Sequence, residues 1–385
     1  MNVAIAYDCL YPFTVGGAEK WYRSLAERLA RRHRVTFLTR KQWTTARPPE
    51  LAANLELVDV CGPASLYGPS GRRRITPTIT YGVGLLTHLL RNPRRYDVVH
   101  VGSFPFFSVL ASRAARAVGG PPCVVDWLEV WSRAGWRAYL GRGRGEIGAA
   151  VQALCVRLSD TPLVHSQMHA RRLAEAGCAS APTLLPGLYD GPIEGLAASG
   201  ARAPRVVFAG RHIPEKGVAA IPAAIAIARR RIPGLGAIVF GDGPERPVVE
   251  REIDRLGLRD VVRCEGFAAE EAVHAALRDA MCLVLPSTRE GYGLVVVEAA
   301  AHGTPSIVVR ADESAAHELI SEGVNGLVVD SADPETLAGA LVRLHERKDE
   351  LAASTAAWFR CNAARLSIEG SVAALEAIYE KTAAR

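Results

Sequence analysis

"CLVLPSTREGYGLVVVEAAAHGTPSIVV", Cys282 to Val309, carries the reading of the fold. "CLVLPS" is a short apolar run closed by a proline, which suits a buried strand. "TREGYG" is polar and broken by two glycines, so it reads as a loop. "LVVVEAAAHG" continues as a helix that stops at Gly303 and Pro305, and "PSIVV" is a strand again. Strand, loop, helix and strand in this order make one unit of a parallel sheet. Within it Glu290 lies in the loop, and Glu298 lies roughly one turn into the helix.

The same alternation extends in both directions. Upstream, "VAIAY" runs into a Gly-rich loop and a helix with Trp21, Leu25 and Leu29 on one face. "RVTFLTR", "LELVDV", "DVVHVG", "PCVVDW" and "TPLVHS" follow as strands. Residues 185–205 are rich in Gly, Pro, Ala and Ser without periodicity and read as a linker. A second series then runs through "VVFAGR", "GAIVFGDG", "VVRCEGF", "CLVLPS", "PSIVV" and "NGLVV". Ile368, Val372, Leu375, Ile378 and Tyr379 mark a last amphipathic helix. The expected fold class is α/β: two Rossmann-like, doubly wound parallel-sheet domains at residues 1–190 and 200–366, with a cleft between them and a closing helix over 367–385.

A chain of 385 residues is too long for one ordinary core, and 49% apolar residues exclude a disordered chain. The first residues carry no basic leader, and no stretch has the apolar length of a membrane span. The eight cysteines are scattered, which points to reduced core residues in a cytoplasmic protein and away from a zinc site. The charge is uneven. Residues 1–190 hold 24 Lys/Arg against 13 Asp/Glu, or +11; the remaining 22 against 27 give −5, restoring the total of +6. The arginines are dispersed, which favours solvated faces over contact with an anionic membrane or substrate; peripheral membrane contact is the less favoured reading, and no nucleic-acid partner is implied.

Ligands in open α/β sheets sit beyond the carboxyl ends of the strands. Gly16 and Gly17 open the first helix there, where backbone amides can approach an anion. Arg211 follows the first strand of the second domain, with Lys216 five residues on, a plausible diphosphate clamp. The amides from Gly291 through Tyr292 and Gly293 to Leu294 sit at a helix N-terminus, and the two glutamates flank it as hydroxyl acceptors.

Glu290, seven intervening residues and Glu298 resemble the E-x7-E motif of retaining family 4 glycosyltransferases (group 1) with the GT-B fold. The Gly-Gly loop, "AGRHIPEKG", "FGDGPER", "RCEGF" and the final helix share the resemblance in the same order. It implies that Arg211 and Lys216 hold the diphosphate of a nucleotide sugar and offset charge on the leaving group. It also implies that Glu298 binds the ribose and Glu290 the donor sugar. Gly16 and Gly17 would approach the diphosphate, and Gly241, Gly266 and Phe267 lie in the segments that line the donor. The last helix would cross back to the first domain. No Asp-x-Asp occurs, which fits an enzyme without metal or cofactor, using a nucleoside diphosphate sugar as co-substrate.

In "VVDWLEVWSRAGW" similar proteins carry a histidine where this chain has Leu128. Asp126, as general base or orienting group, and His100 are the candidates to stand in for it. Asp8, Glu19, Asp126 and Glu129 fall at or just beyond strand ends and would suit a hydroxylated or amine-bearing acceptor. Trp127 could offer a face to a sugar ring, as Trp131 and Trp136 could. The expected reaction is retaining transfer, UDP-sugar favoured, to a small polyol or aminocyclitol hydroxyl. A membrane-lipid or cell-envelope acceptor and a GT-B epimerase are the alternatives. A silent binding subunit is the reading from outside enzyme chemistry.

Overall fold

The computed structural model describes residues 1–44, 49, 51–66, 68, 73–193 and 202–384. Residues 194–201, the centre of the expected linker, lie outside them. Each apolar run named above is a strand: the central ones, such as Val98–Gly102, Cys123–Trp127 and Ala280–Leu285, are buried along their whole length, whereas the edge runs "LELVDV" and "VVRCEGF" bury only some of their residues. In the first unit these are β1 (Asn2–Ala6), β2 (Arg34–Arg40), β3 (Leu55–Cys61), β4 (Val98–Gly102), β5 (Cys123–Trp127), β6 (Pro162–Val164) and β7 (Thr183–Leu184). They form one parallel sheet in the order β3-β2-β1-β4-β5-β6-β7. Val3 pairs with Val35 on one side and Val98 on the other, so the chain reverses its winding between β1 and β4. The helix Gly17–Leu29 buries Trp21, Leu25 and Leu29 on its sheet-facing side, as their spacing expects.

The second unit contains β8 (Ala203–Ala209), β9 (Gly236–Phe240), β10 (Val262–Gly266), β11 (Ala280–Leu285), β12 (Arg289–Glu290), β13 (Ser306–Val309), β14 (Glu313–Ser314) and β15 (Gly326–Val329). Six of them make a parallel sheet in the order β10-β9-β8-β11-β13-β15, and β12 pairs separately with β14. Its winding reverses between β8 and β11. The helix Leu294–Ala301 buries Val296, Val297 and Ala299 to Ala301. Leu294 and Val295 stay half-buried, so the apolar run is less enclosed than its composition suggests.

The units comprise Met1–Asp190 with Ile368–Arg385, and Gly191–Ser367. The last helix, Ile368–Ala383, packs on the first helix and on β4 and β5. Ile368 N–H donates to the Tyr189 carbonyl at 2.9 Å. Arg28 pairs with Glu369 at 2.8 Å and His33 with Glu376 at 3.1 Å. All eight cysteines are unpaired; Cys9, Cys123, Cys155 and Cys282 are buried, whereas Cys361 is exposed and departs from the core assignment. Among the described residues no helix is long and apolar enough to cross a membrane.

Candidate functional site

The chain leaves β8 through Arg211, which is exposed, and forms a single 3-10 turn at Pro214–Lys216. Gly217 closes the turn with φ 63°, and a Cβ there would stand 2.5 Å from the Pro286 carbonyl oxygen. Glycine therefore lets this loop abut the one leaving β11. Hydrogen bonds and ion pairs join the two loops. Thr288 N–H donates to the Glu215 carbonyl at 2.9 Å, and Arg289 Nη1 meets Glu215 Oε1 at 3.1 Å. Lys216 Nζ reaches Glu290 Oε2 at 2.5 Å, both side chains being mostly buried. Lys216 and Glu290, expected on separate parts of a donor, thus hold each other across the point where the winding reverses. Glu215 and Arg289 are the contributors that sequence reasoning passed over.

β12 fixes Glu290 from the other side, where its carbonyl accepts from Ala315 N–H at 2.8 Å. Gly291 and the Tyr292 side chain are buried, and burial pushes the Tyr292 phenol up. Gly293, at φ 97°, turns the chain into the helix that begins at Leu294; Val296 N–H donates to the Gly293 carbonyl at 2.9 Å, and the amides before it stand at the helix N-terminus. Glu298 is half-buried one turn later. Its ligand atoms and those of Glu270 and His274 lie within 4.8 Å of one another, a spacing a divalent cation could take. His274 Nε2 lies 3.2 Å from Glu270, and its Nδ1 lies 2.9 Å from His302 Nε2. Glu298 is thus both the expected ribose contact and a member of that group.

Glycines also govern the neighbouring strand ends. Gly241 N–H donates to the Gly266 carbonyl at 2.6 Å, and a Cβ on Gly241 (φ 113°) would meet the Gly210 carbonyl oxygen at 1.9 Å. Three strand ends, β8 to β10, therefore approach backbone to backbone. Phe267, just beyond, is 62% exposed.

In the first unit Gly16 precedes the first helix in extended backbone, and a Cβ there would fall 2.3 Å from Glu19 Oε2. Glu19 folds back over Gly16, while Gly17 has open space where a Cβ would stand. The other acids depart from expectation. Asp8 is fully buried and its Oδ2 accepts from Arg73. Asp126 is fully buried too: Oδ2 accepts from Trp21 Nε1 at 2.9 Å and His100 Nε2 at 3.2 Å, and Oδ1 accepts from His165 Nε2 at 2.7 Å.

His165 Nδ1 also faces a carbonyl, that of Leu185 at 2.7 Å, so both ring nitrogens donate and the ring is an imidazolium. Burial alone would raise the Asp126 carboxyl, but the His165 charge and the histidine hydrogen bonds hold it far below the usual range. Burial works against the His165 charge, and Asp126 outweighs it, raising His165. Tyr379 Oη lies 2.6 Å from His100 Nδ1, so the same ring that donates to Asp126 also meets the last helix.

Asp126 therefore has neither exposure nor basicity to take an acceptor proton, and His100 is a strut between Asp126 and the last helix. Trp127 is buried, donating to Ser159 Oγ at 3.2 Å, and offers no sugar platform. Glu129 is half-buried and accepts from Trp131 Nε1 at 2.6 Å. His165 was legible in principle: it stands one residue past β6, whose register pairs Leu163 with Asp126.

Two family models match the chain, "Glycosyltransferase Family 4" over residues 15–186 and "Glycosyl transferases group 1" over residues 203–347. An alpha-D-kanosaminyltransferase of Streptomyces kanamyceticus is 35% identical over 141 residues, 37% of this chain and 36% of that protein. A D-inositol 3-phosphate glycosyltransferase of Thermobispora bispora is 35% identical over 146 residues, 38% of this chain and 33% of that protein. The matched stretch thus spans about a third of the length of these curated relatives. A sucrose-phosphate synthase from Thermosynechococcus elongatus superposes with a TM-score of 0.81 at 20% identity, covering 99% of this chain and 98% of that one. Anabaena HepE, solved with UDP and glucose, gives 0.73 at 18% identity over 99% and 100%. These likenesses establish the GT-B fold.

Proposed function

The chain belongs to the group 1 glycosyltransferases of family 4, and we propose that it moves a hexose from a nucleoside diphosphate sugar to an acceptor hydroxyl with retained configuration. The observation that carries this reading is the Lys216–Glu290 pair at the winding reversal, 2.5 Å apart, with Arg211 in the same loop five residues before Lys216. In this reading the diphosphate takes Arg211, Lys216 and the amides that open the Leu294 helix, while Glu290 receives sugar hydroxyls and Glu298 the ribose. Lys216 then bridges carboxylate and phosphate, so it registers the sugar against its leaving group.

The bond from the anomeric carbon to the diphosphate oxygen breaks as the bond to the acceptor oxygen forms on the same face. The acceptor proton passes to the departing diphosphate, so no protein base is required, which agrees with the closed surroundings of Asp126. Arg211 and Lys216 supply the charge stabilisation of the leaving group. No metal takes part in this scheme, and turnover is expected to survive EDTA unchanged.

UDP is the favoured nucleotide, since HepE was solved with UDP and with UDP-glucose. The acceptor is proposed to be a small polyol. Two of the acids that favoured an amine on it, Asp8 and Asp126, already have internal cationic partners. The test is a panel of UDP- and GDP-sugars assayed for donor hydrolysis and then for transfer. Folded Lys216→Ala is expected to lose about two orders of magnitude in turnover, the scale of one preorganised charge contact. Turnover near that of the parent protein would overturn the clamp.

A further inference from the structure

The geometry points to an anion-binding acceptor subsite in the first unit, at the carboxyl ends of β1, β2 and β3, that takes a phosphorylated sugar or cyclitol. A cavity of about 710 Å³ opens there. Phe13 enters it from the loop after β1, Arg40 to Trp43 from the end of β2, and Ala64 from the loop after β3. Ligands of open α/β sheets bind beyond the carboxyl ends of the strands, and this cavity lies beside β1, the strand at which the winding reverses. The inference rests on the proposed transfer reaction and names the chemistry of its acceptor.

The cavity has a fixed frame. Gln42 Oε1 accepts from Leu10 N–H at 3.3 Å and Thr14 Oγ1 at 2.8 Å, and its Nε2 donates to the Arg40 carbonyl at 3.3 Å. One side chain thus ties the loop after β1 to the end of β2. Arg40 Nη1 donates to the Ala64 carbonyl at 2.7 Å, tying in the loop after β3.

Within that frame the charge has one sign. Arg40 and Lys41 line the cavity, and no carboxylate stands among the described residues that do. Arg40 is only 6% exposed, and its Nε–H is buried without a hydrogen-bond partner. A guanidinium held there by one carbonyl keeps donors for an oxyanion, and its planar fork suits phosphate. Asp8, the buried acid of this region, is already paired with Arg73.

The apolar wall selects the rest of the ligand. Phe13 is 45% exposed, and its ring centroid lies 6.4 Å from that of the buried Trp43 at 56°. A ring face beside two cations suits a sugar or cyclitol carrying a phosphate, whereas an amine-bearing ring would meet like charge. The phosphate could come from a soluble metabolite or from a lipid headgroup; the chemistry recognised is the same.

Calorimetric titration of the full chain decides the matter, with myo-inositol 1-phosphate, myo-inositol and 2-deoxystreptamine as soluble probes. Phosphatidylcholine vesicles with and without phosphatidylinositol form the lipid arm. Inositol 1-phosphate, or the inositol-lipid vesicle alone, is expected to bind at least about tenfold tighter than its uncharged counterpart, as a charge-assisted contact requires. The first result identifies a soluble source and the second a headgroup. Lys41→Ala and Phe13→Ala, each verified by its melting transition, are expected to weaken that binding about tenfold without touching the buried Arg40.

Equal affinity for charged and neutral probes, tighter binding of 2-deoxystreptamine, or unchanged affinity in Lys41→Ala would overturn the proposal. Failure of the parent protein to bind UDP would instead sink the glycosyl-transfer reading. The anion preference, measured without nucleotide, would still be decided on its own titrations.

Discussion

At Lys216 and Glu290 opposite charges meet 2.5 Å apart, with side chains 15% and 16% exposed. So enclosed a pair is coupled in its effects: removing either partner leaves the other short of water and of its counter-charge. Glu290→Gln keeps an oxygen to accept from Lys216 and sugar hydroxyls while deleting the charge. It is expected to lower kcat by about a hundredfold with a smaller change in KM, because the lost charge registers the sugar in the transition state. Steady-state kinetics with the best donor of the panel checks this, and a purely KM effect would refute it. Gly217→Ala reaches the same pair through the backbone. It places a Cβ 2.5 Å from the Pro286 carbonyl at φ 63° and is expected to cost more than about 1 kcal/mol in urea unfolding.

Among the elements, the network around β5 has the most pronounced dependence on protons. Asp126 is depressed and His165 raised, so the two act in opposite pH directions. The Asp126 contribution is present above the unfolded carboxyl pKa of about 3.9 and fades as pH falls through its depressed folded value. The His165 contribution is complete below the unfolded imidazole pKa of about 6.5 and fades as pH rises through its raised folded value. The network is therefore fully stabilising between those limits, and the melting temperature is expected to fall as pH climbs from 6 towards 9. His165→Gln should start lower and lose that slope; calorimetric scans across the range test it, and a parallel slope would refute the assignment.

The same elements show what was legible in advance. Strands such as "AMCLVL" and the E-x7-E spacing could be read directly, because short apolar runs, glycines and helix stops are local signals. The roles of Asp126, His100 and Trp127 could not, since a strand-end residue faces either the ligand edge or the interior, and only the packing of β6 and the last helix decides which. Glu215 and Arg289 escaped for the same reason: their contacts span 74 residues of sequence.

At the scale of the molecule, the chain begins and ends in the same unit, since Ile368–Arg385 clusters with Met1–Asp190. That return is held by more than packing. Tyr379 Oη meets His100 Nδ1, Glu369 pairs with Arg28, and Glu376 pairs with His33. His100 in turn donates to Asp126, so the last helix is one end of a hydrogen-bonded chain that reaches His165 and the Leu185 carbonyl. Deleting residues 368–385 would uncover apolar surface on β4 and β5 and strip His100 of its Tyr379 partner at once. Amide hydrogen exchange read by mass spectrometry is expected to quicken at least about tenfold in β4 and β5, as for elements pushed towards local opening. β10, on the edge of the second sheet, serves as the internal reference. Tyr379→Phe separates the two causes, because it keeps the helix and removes one hydroxyl, a loss of about 1 kcal/mol. Exchange in β4 and β5 should then rise by a smaller factor than in the deletion. If the deletion leaves those strands as protected as before, the helix is an appendage and the hydrogen-bonded chain does not hold the unit together.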